Sequence, residues 1–172
     1  MNKIIRFLKN FLILAFVIIL FLAYYELSER FAPVTLYRDK FGHSIASTDP
    51  NTYFYTFFGF FILINLLISS IARITQQFPL EKIRIPNQDF WQQDKAHIQR
   101  LHDVFEAWIF GFALILNVFM TILAAKIWFV NRGIGGQMWE YGMMALSLVL
   151  ILLIWIGFIF YRLRIRREEY IT

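Results

Sequence analysis

The sequence predicts an all-α integral membrane fold. Four transmembrane helices form an antiparallel up-down bundle, with a cytoplasmic interfacial helix and a short external hairpin, and three observations predict it. Four apolar stretches, at about residues 7–26, 53–72, 107–125 and 141–161, each approach the roughly 20 residues that a helix needs to cross about 30 Å of hydrocarbon. Nearly every charge lies between those stretches. The composition, 59% hydrophobic and 19% aromatic with 17% charged, gives 172 residues more apolar surface than a soluble domain of that size hides. Residues 1–172 are read as one membrane domain with an external loop at 27–52 and a cytoplasmic loop at 73–106, too little outside the spans for a separate catalytic core.

The first span follows Lys3, Arg6 and Lys9, a basic start like that of a secretory signal, but no small-x-small cleavage site follows it. It ends in Tyr24, Tyr25 and Glu26, a rim suited to an uncleaved anchor. Tyr53, Phe54, Tyr55, Trp128, Trp139 and Tyr141 recur at predicted outer ends and read as lipid-interface anchors of the same kind. In the external loop, Val34 to Tyr37 and His43 to Ile45 flank Arg38-Asp39-Lys40-Phe41-Gly42, a short hairpin whose turn uses Gly42 for a positive φ. His43 has no second ligand beside it and reads as a loop residue. Asp49 caps the second span, and Pro50 takes its first helical position, where no hydrogen bond is lost.

The second span carries a small polar face, Asn65, Ser69 and Ala72, and the third an i, i+4 stripe of Ala113, Asn117, Thr121 and Ala125. Asn65 and Asn117 fall at similar depth, so interhelical packing through their amides is expected. Ala107 and Gly111 add a small-x-x-x-small contact. Between these spans come Pro79 and Ile85-Pro86-Asn87-Gln88-Asp89, and then a helical pattern of Phe90, Trp91, Ile98, Leu101, Phe105 and Trp108, with Asn87 or Asp89 as its cap. That helix is expected to lie on the inner membrane surface and bend or run into the third span, its aromatic face meeting lipid or seating a partner subunit. His97 and His102, five apart, do not face one another; His102 and Glu106 share a face and read as a paired contact. Asp94 and Asp103 read as solvated, and Glu140, beside Gly133, Gly135 and Gly136, as hydrated at the outer edge.

Orientation follows from the basic residues. With the N-terminus inside, 12 of the 17 (Lys3, Arg6, Lys9, Arg73, Lys82, Arg84, Lys95, Arg100, Arg162, Arg164, Arg166 and Arg167) face the cytoplasm, leaving Arg30, Arg38, Lys40, Lys126 and Arg132 outside. Both termini are therefore expected to be cytoplasmic in a bacterial inner membrane. The net charge of +5 is met by anionic headgroups, without nucleic acid.

Missing residues exclude several chemistries. The chain has no cysteine, which removes disulfides, thiolate metal sites and cysteine nucleophiles. No histidine lies inside a span to ligate haem, and no charged side chain lies in a span interior to couple protons to transport. With no nucleophile–base pair and no phosphate-cradling loop, the expectation is a protein without catalytic residues, metal or cofactor.

Pro33-Val34-Thr35-Leu36-Tyr37-Arg38-Asp39-Lys40-Phe41-Gly42, followed after the second span by Pro86-Asn87-Gln88-Asp89-Phe90-Trp91, resembles a group of uncharacterised bacterial multi-span membrane proteins. These are similar to the front portion of toxin-immunity membrane proteins, and the likeness covers roughly residues 10–125. The histidine usual in their outer loop is absent here, where Leu36-Tyr37 stands. The resemblance implies a shape and no chemistry. The expected role is a non-catalytic accessory or scaffolding subunit of a larger membrane complex, a respiratory electron-transfer complex named first by analogy, with membrane lipids and other integral subunits as partners. The alternatives are a free-standing immunity or sensor protein binding a peptide or lipid at its outer loop and, third, a small-solute transporter.

Overall fold

The computed structural model describes residues 2–30, 32–77 and 84–164. The elements run α1 (Asn2–Glu29), β1 (Val34–Arg38), β2 (Ser44–Thr48), α2 (Pro50–Gln77), α3 (Gln88–Trp91), α4 (Lys95–Asn131) and α5 (Met138–Arg164). Four of them, α1, α2, α4 and α5, are long and apolar enough to cross a membrane. Pro79, Lys82, Arg166 and Arg167 lie outside the described residues.

Each long helix extends beyond its apolar stretch, because backbone hydrogen bonding continues into flanking polar residues that helix propensity tolerates. The largest extension is in α4, whose 37 residues join the expected interfacial helix to the third span without a break. No proline or glycine lies between Lys95 and Phe110 to interrupt it. Its cap is Asp94, which accepts the His97 amide at 2.9 Å, so the expectation of a merely solvated Asp94 is corrected. Asn87 instead adopts a left-handed conformation before α3 with no side-chain cap bond, and donates to the Arg164 carbonyl at the end of α5.

Packing centres on α4. The α1 positions Phe16, Leu20, Ala23 and Leu27, spaced four, three and four residues apart, form a buried core with Tyr53, Phe54 and Phe61 of α2 and Met120, Ala124 and Ile127 of α4. The Phe16 and Phe61 rings stack with centroids 3.8 Å apart. A smaller cluster joins Ile68 and Ala72 to Ile109 and Ala113. The small-residue stripe of α4 is buried at Ala113 and Asn117 but half-exposed at Thr121 and Ala125. A four-residue step overshoots a 3.6-residue turn by about 40°. The buried line therefore passes instead to Met120, Ala124 and Ile127.

Part of the aromatic face of the segment before the third apolar stretch packs on α5. Trp91 and Leu101, with Phe90, Phe105 and Trp108 beside them, pack on Ile159 and Leu163 of α5, while Ile98 stays half-exposed. The Trp91 indole donates to the Leu163 carbonyl at 3.0 Å. Burying Trp91 and Leu101, with Phe90, Phe105 and Trp108 partly covered beside them, removes apolar area from water. Higher up, Gly111 gives α5 room: a Cβ there would stand 2.2 Å from the Trp155 ring. Beside it, the Trp108 indole donates to the Trp155 carbonyl at 2.9 Å and the Trp155 indole to the Trp108 carbonyl at 3.0 Å.

The hairpin pairs β1 and β2 in antiparallel register, Val34 with Thr48 and Arg38 with Ser44, and Gly42 takes φ +90° in its turn. It is docked rather than free. Asn131, the last residue of α4, donates to the Thr35 carbonyl and accepts the Thr35 amide, occupying the open edge of β1 as a strand would. Tyr141 of α5 donates its hydroxyl to the Leu36 carbonyl at 2.5 Å, and the Arg38 amide donates to the Gly136 carbonyl at 2.7 Å.

Candidate functional site

Polar side chains gather in three layers. In the middle layer, Asn65 and Asn117 bond reciprocally: the Asn65 amide donates at 2.8 Å and the Asn117 amide at 3.1 Å. Asn117 is 0% exposed, and Asn65 has a second bond to the Phe61 carbonyl. Thr121 donates to the Asn117 carbonyl within its own helix. Tyr53 lies nearer the hairpin, its hydroxyl on the Ala124 carbonyl.

The hairpin-side layer is an ionic network. Glu26 accepts from Arg132, Arg30 and the Trp128 indole, and the Arg132 guanidinium also lies over the Trp128 ring, 4.5 Å from its centroid. The hydrogen bond to Glu26 raises the Arg132 pKa further above its ordinary value. Lys126 pairs with Glu140, whose carboxylate also accepts the Gly136 amide at 2.9 Å, so Glu140 is held and not simply hydrated. Of the aromatic rim, Tyr55 and Trp139 face outward at 69% and 64% exposure; Tyr53, Phe54, Trp128 and Tyr141 point inward to the contacts already given. An amphipathic ring near a buried carbonyl or carboxylate gains a hydrogen bond there that it lacks in hydrocarbon. At the hairpin tip, Asp39 accepts the Phe41 and His43 amides at 2.8 Å and meets the His43 ring. Partial burial raises the Asp39 pKa, the His43 and Phe41 hydrogen bonds lower it more, and the net shift is downward. Asp49 accepts the Thr52 amide at 2.8 Å and Pro50 opens α2; the bonds from Thr52 hold that carboxyl below the usual aspartate range.

The third layer lies at the opposite end, where α1 begins and α2 ends. Glu106, 5% exposed, is paired with Arg6 and not with His102, whose ring instead meets the Thr75 carbonyl at 3.1 Å. The carboxylate of a residue on α4 points at the start of α1, a neighbour one hundred positions away, and a charged partner outcompetes a local imidazole. Beside this pair opens a cavity of about 370 Å³, lined from α1 by Arg6, Lys9 and Asn10, from α2 by Ser69, Ala72, Arg73 and Gln76, and from α4 by Glu106 and Phe110. The Lys9 ammonium stands 4.7 Å from the Phe110 centroid. His97, 6% exposed, meets Asp94 through Nδ1, and its Nε2 has no partner among the described residues.

Two of the residues expected to share a packing face, Asn65 and Asn117, meet directly; Ser69 turns instead into the basic cavity. The cavity itself was not foreseen, although Arg6, Arg73 and Glu106 each stand within a turn of an apolar stretch, the signal that could have marked it. Among the described residues no group of three or more histidine, aspartate or glutamate side chains is placed to hold a metal ion. No family model, no curated protein and no solved structure matches this chain.

Proposed function

We propose that the four long helices form an antiparallel up-down bundle in a bacterial inner membrane, with both termini cytoplasmic. In this reading the chain serves as a non-catalytic accessory or scaffolding subunit of a larger membrane assembly. The spacing of the ion pairs carries the membrane placement. Arg6 and Glu26 on α1, and Glu106 and Lys126 on α4, are each 20 residues apart. At about 1.5 Å per residue that separation is about 30 Å, the thickness of a hydrocarbon core. No charge falls between residues 107 and 125 of α4. The charged groups thus sit where two headgroup layers would meet them.

The subunit role rests on α5. It meets the rest of the chain near its two ends, through Tyr141 and Glu140 and through Trp155, Ile159 and Leu163, while Leu146, Val149, Leu150, Leu153 and Ile154 between them are exposed. Gly142 and Gly157 have open space where a side chain would stand, which lets a neighbouring helix backbone approach. Because α5 already covers part of the aromatic face, the partner contact is assigned to the exposed side of α5 from Gly142 to Gly157. Purification from native membranes in mild detergent should show co-migration with larger subunits at fixed stoichiometry, abolished by Gly142→Leu with Gly157→Leu. A monomer unaffected by those changes sinks the subunit role. It would favour the free-standing reading, in which the hairpin tip, with Phe41 74% and Ile45 55% exposed, makes the contact.

A further inference from the structure

We propose that the basic cavity at the α1 start is a binding site for a phosphate group, held on the protein's inner-leaflet side. The inference rests on the membrane placement above but not on the subunit role. Three cations, Arg6, Lys9 and Arg73, line the cavity against one carboxylate, Glu106, leaving two positive charges. Glu106 is buried and its pairing fixes Arg6 in place, so the cavity is built around a positioned guanidinium and not around three mobile side chains. Arg73 has no carboxylate partner among the described residues, and the Ser69 hydroxyl beside it has no hydrogen-bond partner there either. Both are donors without acceptors. An anion with several oxygens satisfies a guanidinium, an ammonium and a hydroxyl together, as a phosphate does.

The volume, about 370 Å³, exceeds what a single water cluster needs and falls in the range of small-ligand pockets. One wall is the Phe110 ring, with the Lys9 ammonium over it, so the cavity pairs an apolar surface with a cationic one. A phospholipid presents the same pairing at its glycerol-phosphate junction. In the proposed orientation the cavity lies at the level of the cytoplasmic leaflet, where anionic lipid is concentrated. The shared chemistry is a phosphate anion, with an anionic phospholipid headgroup or free phosphate as its source.

The test uses the full chain purified in detergent, with native mass spectrometry of adducts formed with phosphatidylglycerol or phosphatidylcholine, repeated with inorganic phosphate added. The wild-type chain should retain one phosphatidylglycerol in preference to phosphatidylcholine. Removing a cation should weaken retention about fivefold, from roughly 1 kcal/mol per basic residue near an anionic surface, so Lys9→Gln with Arg73→Gln should lower it roughly 25-fold. Lys40→Gln, which removes one positive charge at the distant hairpin turn, should leave it unaltered where either single cavity change weakens it. Retention of phosphatidylglycerol that millimolar inorganic phosphate does not displace identifies the lipid; displacement by phosphate identifies a free anion. Equal retention of both lipids by the wild-type chain with no effect of phosphate overturns the site without relying on any variant, as does unchanged retention in the double variant. Flotation with liposomes separates the two readings: a chain that floats yet shows no preference loses only the site, and one that fails to float loses the membrane placement.

Discussion

Asn117 and Asn65 are not equivalent, although each donates to the other. Asn117 is 0% exposed and its side chain has no other partner among the described residues, whereas Asn65 keeps the Phe61 carbonyl. Asn65→Leu strands a buried amide and should therefore cost more than Asn117→Leu. Interhelical hydrogen bonds in membranes average about 0.6 kcal/mol, so the reciprocal pair is worth about 1 kcal/mol, and the double change should cost less than Asn65→Leu alone. Unfolding equilibria in mixed micelles measure the cycle; strictly additive costs would show that the pair is not coupled. A second asymmetry concerns Asp94, whose carboxyl is held below the usual aspartate range by hydrogen bonds from the His97 backbone and then its ring. Since the folded pKa is depressed, the stabilisation is complete above the ordinary aspartate pKa of about 3.9 and is lost as pH falls through the lower folded value. Asp94→Ala should speed hydrogen exchange of the His97 and Ile98 amides, with Asp94→Asn restoring protection as a cap. The depth of the asparagines was legible because polar residues stand out in an apolar stretch. The Arg6–Glu106 pair was not, since each residue alone looks like an ordinary helix-end charge and only the fold joins them.

At the level of elements, Gly111 removes a side chain where the Trp155 ring of α5 lies against α4. The nearest Trp155 ring atom is 2.2 Å from the position a Cβ would take, so Gly111→Ala must displace that ring and, with it, the reciprocal indole-to-carbonyl bonds between Trp108 and Trp155. Overpacking of this kind costs roughly 1–3 kcal/mol. The thermal midpoint should fall, and adding Trp155→Leu to Gly111→Ala should recover part of the loss; a larger loss in the combination would mean that the glycine serves the backbone of α4 alone. The hairpin depends on a similarly narrow contact. Asn131→Ala removes both bonds to Thr35, and proteolysis between Arg38 and His43 should become faster while the helices remain protected. The hairpin and the four apolar helices were readable from turn chemistry and from run length. Which helix faces touch was not, because in a membrane protein the surface that meets lipid is as apolar as the surface that meets another helix. Hence the periodicity of the aromatic segment from Phe90 to Trp108 marked an apolar helix face without naming α5 as one of the surfaces it meets.

On the scale of the molecule, the charge layers and the exposed apolar bands make one arrangement. Arg6, Glu106 and Arg73 gather at one end, Glu26, Lys126, Arg132 and Glu140 at the other, and Leu14, Ile18, Leu63, Leu66, Val149 and Leu153 lie exposed between them. An apolar band of that breadth exceeds the patches that monomeric soluble proteins leave in water. The proposed direction rests on the bias of basic residues toward the segments holding Arg73, Arg84, Lys95 and Arg100, since lysine and arginine favour the cytoplasmic side. The sequence carries no cysteine, so single introduced thiols report location without background. Phe41→Cys, at the exposed hairpin tip, should react with a membrane-impermeant maleimide in intact cells. Lys95→Cys, at the start of α4, should react only after the membrane is opened. Leu14→Cys, exposed in the middle of α1, should resist the reagent in both conditions, because a hydrophilic maleimide does not enter hydrocarbon. Labelling of Phe41→Cys and Lys95→Cys from the same side would mean that α2 does not cross. Labelling of Leu14→Cys from either side would mean that α1 faces water, and the 30 Å spacing of the ion pairs would then need a different cause.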